Sequence, residues 1–176
     1  MTILELLQLE ASKRNINQII SIINQQPELF ETLWSIFCQQ KNPESRRAAW
    51  AIDLLNENLA YLNEKHLETI ISMLPLYKHE GYKRHSLRIL ERNIIPETHK
   101  GEVVSICFNW LESPSSAVSV KMFCLKILER IAKEEPIISR ELIDIIELQL
   151  NDATPGFKSI GLKTIRSLQK LIAINN

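Results

Sequence analysis

Apolar residues recur along this chain at the i, i+3, i+4, i+7 spacing of one helix face, as in Leu67, Ile70, Ile71 and Leu74. The alternation of a half-buried strand is absent, and four glycines leave little material for hairpin turns. The helical pattern is itself periodic. Phe30, Leu67, Val104 and Leu142 step by 37, 37 and 38 residues, and so do Leu33, Ile70, Cys107 and Ile145, and Trp34, Ile71, Phe108 and Ile146. A second series lies between them, with Ala49, Ser86, Cys124 and Gly161 stepping by 37, 38 and 37. Each of these small residues precedes a large one (Trp50, Leu87, Leu125, Leu162), and each follows by three a basic one (Arg46, Lys83, Lys121, Lys158). Two helical patterns interleaved at one period predict stacked helical hairpins. First helices are expected at about 27–40, 64–78, 97–112 and 137–151, and second helices at about 43–59, 81–94, 115–133 and 155–173.

Prolines mark the same boundaries. Pro27, Pro43, Pro96, Pro114, Pro136 and Pro155 lie at or just before pattern starts, where a missing N–H costs little. Ser113 and Thr154 each place a hydroxyl just before a proline, as caps for the helices that follow. Pro75 falls inside a first helix and should kink it. The small-residue position has a packing reason: it lets a neighbouring helix approach, beside the large residue that acts as a knob. Ahead of the array, Ile3–Leu9 and Ile16–Ile23 form two more helical patterns, with Asn15 and Gln18 spaced as a capping pair. They match the repeat poorly, as a terminal cap would. The expected organisation is one domain, 1–176, with a cap over 1–26 and repeats over about 27–62, 63–95, 96–135 and 136–176.

The chain has 176 residues, long enough for a continuous core, with 21 basic and 21 acidic residues. Net charge therefore argues for no partner, and only its distribution can. The three cysteines form no CxxC, and Cys107 and Cys124 hold repeat positions, so reduced thiols in a cytoplasmic protein are expected. The first residues, MTILELLQLEAS, lack a basic leader, and no apolar run approaches a membrane span.

The segment ISMLPLYKHEGYKRHSLRIL resembles a HEAT repeat. In that family a first helix often carries a proline, and a basic, a small and a large residue open the second helix. Pro75, Lys83, Ser86 and Leu87 match, and the resemblance covers about 27–173. It implies an all-α, armadillo-type α-solenoid (an α–α superhelix) whose second helices line a concave face. The family also has an aspartate in the inter-helix turn that pairs with the basic residue, and only Asp152 is placed for it. A weaker resemblance is to the HEAT-like alkyl-purine DNA glycosylases, which use a tryptophan, an aspartate and an arginine on the concave face. Trp50 and Asp53 are close in sequence, but the register makes Trp50 a core knob, and the trio is not placed.

No catalytic or cofactor motif is present: there is no GxGxxG, GxxxxGK[ST], GxSxG or HExxH, and His66, His79, His85 and His99 form no metal-ligand pair. Cys124 has no evident base, and the tryptophans Trp34, Trp50 and Trp110 fall on apolar stripes as core residues. Charge is the informative feature. First-helix segments total −6 and second-helix segments +6. Arg84, Arg88 and Arg92 repeat every four residues on one helix face, Arg88, Lys126 and Lys163 share one repeat position, and Arg92 and Arg130 share another. With Arg166, and with Lys121 at its edge, these make a candidate basic strip on the concave groove. The reading is a non-catalytic module, without cofactor, metal or membrane, that binds a protein with an acidic surface. The alternative is nucleic-acid binding, related to the alkylation-repair glycosylases. Against it, few aromatic residues (Tyr82, Phe123, Phe157) accompany the cations of the later second helices.

Overall fold

The computed structural model describes residues 1–57 and 61–175, and among these there is no strand. Helices run in chain order as α1 (Ile3–Leu9), α2 (Lys13–Gln25), α3 (Leu29–Cys38), α4 (Glu44–Leu55), α5 (Glu64–Met73), α6 (Glu80–Arg92), α7 (Glu97–Glu112), α8 (Val118–Glu134), α9 (Ser139–Leu150) and α10 (Pro155–Asn175). The chain groups into two compact units, Met1–Ile70 and Ile71–Asn176. The expected first and second helices are all present, and the fold is an all-α stack of helical hairpins of solenoid type. The last two positions of the expected helix 43–59 lie outside the described residues.

In the first unit α1 pairs with α2 and α3 with α4, while α2 lies beside α4 and α1 beside α3. The N-terminal pair thus takes part in the stacking as a hairpin of its own. Its entry differs from the sequence expectation. Ser12, not Asn15, caps α2, its Oγ accepting from the Asn15 N–H at 3.1 Å. The Asn15 side chain is buried and donates to the Leu6 and Glu10 carbonyls at 2.7 and 3.0 Å. Those are carbonyls that the end of α1 cannot satisfy internally, so an amide there is more valuable as a donor than as a cap. Arg47 adds a third such bond, donating to the Leu7 carbonyl at 2.6 Å.

In the second unit α6, α8 and α10 lie side by side, each of the latter two paired with the first helix before it, α7 and α9. The repeat series is visible as burial. Ala49, Ser86, Cys124 and Gly161 are all buried, as are Phe30, Leu67, Leu142, Leu33, Ile70 and Cys107. Each fully buried aliphatic side chain contributes about 1.5–3 kcal/mol through apolar area removed from water. The large-residue position is less uniform. Leu87 and Leu125 are fully buried, Trp50 is half-buried, and Leu162 is 45% exposed because α10 has no further second helix beside it among the described residues. Trp34 and Trp110 are likewise half-buried. Trp34 belongs to an aromatic cluster, 4.5 Å edge-on from His66 and 5.2 Å from Phe37.

Pro75 ends α5 instead of kinking it. The helix stops at Met73 and Leu74–Leu76 forms a 3-10 turn. Thr154 caps α10 as expected, accepting from the Phe157 N–H at 3.4 Å. Ser113 does not cap α8, which begins at Val118. Its first turn is served from another helix: the Ala117 N–H donates to Glu80 Oε2 of α6 at 2.8 Å, and the other oxygen of Glu80 receives Lys83 Nζ at 2.6 Å. Burial works against ionisation of Glu80, but the Lys83 and Ala117 hydrogen bonds outweigh it and hold its pKa below the ordinary 4.5. A carboxylate with a lowered folded pKa stabilises fully above that ordinary value and less as pH falls through the folded value. Glu80→Gln is therefore expected to cost about 1 kcal/mol at pH 7, the amount for a partly screened charge at a helix N-terminus. In urea titrations the difference from wild type should disappear as pH falls below the carboxylate range.

Candidate functional site

The basic residues are concentrated by helix. Formal charge is +2 on α6, +2 on α8 and +4 on α10, against −2 on each of α7 and α9. The layer of α6, α8 and α10 is thus the basic side of the second unit, and α10 contains no Asp or Glu at all. Buried and exposed positions alternate around each of these helices, so its cations are divided between packing and surface.

Arg84, Arg92, Lys126, Lys163 and Arg166 are exposed, and Arg88 is half-buried. They lie on the three adjacent helices α6, α8 and α10. Lys126 Nζ sits 5.2 Å from the centre of the Phe123 ring, and Arg84 lies 3.2 Å from His85 Nε2. Arg130 is different. Its guanidinium donates to the Glu91 and Leu90 carbonyls at 2.5 and 2.9 Å, closing the last turn of α6. Burial lowers its pKa, with Glu91 and Glu134 acting in the opposite sense. Lys121, expected at the edge of the strip, instead donates to Gln149 Oε1 of α9 at 2.7 Å, and burial lowers its pKa. Both are structural links between helices.

The basic position of the repeat has the same kind of work. Lys83 holds Glu80 and lies 5.1 Å over the Trp110 ring of α7, while Lys121 reaches α9, so each bridges to the following first helix. In the Lys83 repeat the acid that pairs with this position is Glu80, one turn before Lys83 on the same helix. Sequence reasoning missed it because it sought the acid only in the turn. It also missed Lys100, whose Nζ lies 2.6 Å from Glu97, 2.9 Å from Glu134 and 3.7 Å from Glu135. Hydrogen bonds to Glu97 and Glu134 hold the Lys100 pKa above its ordinary value. This cluster joins the start of α7 to the end of α8.

Where α8 ends beside α10 there is a cleft of about 490 Å³, lined by Lys133, Lys163, Arg166, Lys170, Leu171 and Ile174 with Ser167. Lys133 and Lys170 are 37 residues apart, so the repeat period itself would have found this pair. Of the possible catalytic groups, Cys107 and Cys124 are buried, and the contact between them together with burial raises the Cys124 thiol well above its usual range. Asp53 is fully buried in the first unit. Among the described residues no cluster of three or more His, Cys, Asp or Glu is placed to hold a metal, and no helix is long and apolar enough to cross a membrane.

A family model described as a HEAT repeat domain matches residues 3–168. The match begins in α1, so the N-terminal hairpin, which the sequence pattern placed outside the resemblance, lies within it. No curated protein and no solved structure matches the chain.

Proposed function

The chain belongs to the HEAT repeat family, and from that premise we propose that it is a non-catalytic interaction scaffold whose α6–α8–α10 layer binds a protein with an acidic surface. The observation that carries this reading is the segregation of charge. A chain of zero net charge places +8 on three adjacent helices and −4 on the two they pair with. Lys83, Lys121 and Arg130 have packing or backbone roles, while Arg84, Arg92, Lys126, Lys163 and Arg166 are exposed on the layer, as are Lys133, Lys158 and Lys170. Cations distributed over three stacked helices match a partner surface with spaced carboxylates, and such complementarity acts mainly on encounter rate and register. The proposed setting is the cytoplasm, where its three free thiols stay reduced.

The nucleic-acid reading is the weaker of the two. Tyr82 and Phe157 are each 3% exposed, and Phe123 is half-buried beneath Lys126, so the aromatic rings of this layer are not offered to bases. The test is charge reversal. Arg84→Glu with Lys126→Glu and Lys163→Glu should keep the helical circular dichroism of the wild type and weaken binding to a partner isolated on the wild-type protein by at least about a hundredfold. Unchanged affinity in the folded triple variant would sink the proposal. A salt-sensitive electrophoretic shift with DNA or RNA, lost in the same variant, would replace it with the nucleic-acid reading.

A further inference from the structure

The cleft between the end of α8 and α10 differs from the rest of the basic layer because it is also aliphatic. It exists because α10 outruns its neighbour. α8 stops at Glu134, whose repeat equivalent at a step of 37 is Leu171, while α10 continues to Asn175. The overhanging turn carries Leu171, half-buried, and Ile174, 82% exposed. Lys133 bounds the opening from α8, and Lys163, Arg166 and Lys170 bound it along α10. Their methylene stems extend the aliphatic wall, with their charged ends at the rim. No carboxylate is among the lining residues, and the nearby Glu129 of α8 is engaged by the Thr164 hydroxyl at 3.0 Å.

Four cations around an aliphatic ledge fit a ligand that is both anionic and apolar. A volume of about 490 Å³ has room for one or two side chains and their backbone, and not for a folded domain. Nucleic acid fits less well, because the lining has no aromatic ring to stack on a base. An anionic membrane also fits less well. On α10 Phe157, Ile165 and Leu168 are buried, and the two exposed large apolar residues, Leu162 and Ile174, stand twelve residues apart, too little apolar surface for an interfacial helix.

We propose that this cleft is the anchor subsite of the basic layer. It takes one large aliphatic side chain of an acidic peptide segment against Leu171 and Ile174, while Lys133, Lys163, Arg166 and Lys170 receive the carboxylates on either side. This rests on the reading of the layer as a surface for acidic proteins. It adds that the partner contributes an extended or helical segment in which carboxylates flank an apolar residue, in place of a uniformly acidic surface.

The test uses fluorescence anisotropy with the full chain and two labelled peptides: short glutamate-rich sequences that carry either two leucines or two serines at the same positions. Wild type is expected to bind the leucine peptide about tenfold tighter than the serine peptide, the scale of one well-placed aliphatic contact. Ile174→Ser alters only an exposed side chain on the last turn, and it should abolish that preference while leaving the weaker serine-peptide affinity in place. Lys133→Glu with Lys170→Glu should weaken both peptides by at least about tenfold. Equal affinity of wild type for the two peptides, or a leucine preference that survives Ile174→Ser, would overturn the cleft assignment. In that case, binding lost in the Arg84, Lys126 and Lys163 reversal would still support the wider basic layer. Failure of both peptides to bind overturns the cleft and removes support from the wider reading as well. Tighter binding of a single-stranded oligonucleotide or of phosphatidylserine vesicles than of the leucine peptide would overturn the peptide assignment in favour of that ligand.

Discussion

Gly161→Leu is expected to lower the melting temperature by about 3–10 °C, from an overpacking cost of about 1–3 kcal/mol in a chain of this size. Gly161 is buried on α10 against α9. A Cβ there would stand 2.9 Å from the Ile146 Cγ2 methyl and 3.3 Å from the Leu150 Cδ2 methyl. Even an alanine must push Ile146 aside, and leucine adds three further carbons in the same gap. The control is Gly101, in the interior of α7, where a Cβ would meet nothing within 4 Å. Gly101→Ala is expected to stabilise by about 0.5–1 kcal/mol through helix propensity alone. Differential scanning calorimetry of the two variants should move in opposite directions. If Gly161→Leu melts with the wild type, the α9–α10 contact is not the one described.

Arg130→Met is expected to cost about 2–3 kcal/mol, the value of a charged donor serving partly buried acceptors. The substitution keeps a long apolar stem and removes the guanidinium, leaving the Leu90 and Glu91 carbonyls at the end of α6 without it. Arg130→Lys should fall between the two, since one ammonium cannot reproduce a fork that reaches two adjacent carbonyls. In urea unfolding the midpoint should drop while the slope stays constant. A variant as stable as wild type would return Arg130 to the set of surface cations available to a partner.

The helices and their order were legible in the sequence because they follow from a single periodicity. Every small residue at the tight position, from Ala49 to Gly161, is buried as the 37–38-residue step requires. What the period cannot carry is the use of a polar side chain. Lys126 and Arg130 are one turn apart on α8, yet Arg130 is bonded to the backbone of a neighbouring helix and Lys126 is exposed. That choice depends on where a neighbouring helix ends, a tertiary fact with no trace in local spacing. The same applies at helix starts. Ser113 has the chemistry of a cap and Ser12 has it too, but α8 begins five residues after Ser113 and takes its carboxylate from Glu80. The candidate strip was read as a set of cations on second helices, and the cleft at Lys133 and Lys170 was missed. The strip was assembled from the start and middle of those helices and not from the place where α10 outlasts α8.

Four of the hydrogen bonds that tie one hairpin to the next reach back about one repeat. Thr164 meets Glu129 across 35 residues, Ala117 meets Glu80 across 37, and Arg47 and Arg130 reach carbonyls 40 residues behind them. Such contacts need only short loops to close, so the entropy lost on closure stays small and nearly equal at each step. A chain built this way can order itself hairpin by hairpin as it leaves the ribosome, since each new hairpin finds its docking surface in the one just completed. It also follows that stability is handed along the stack. Loosening the α6–α8 link withdraws support from the α7–α8 hairpin before it affects α9 and α10.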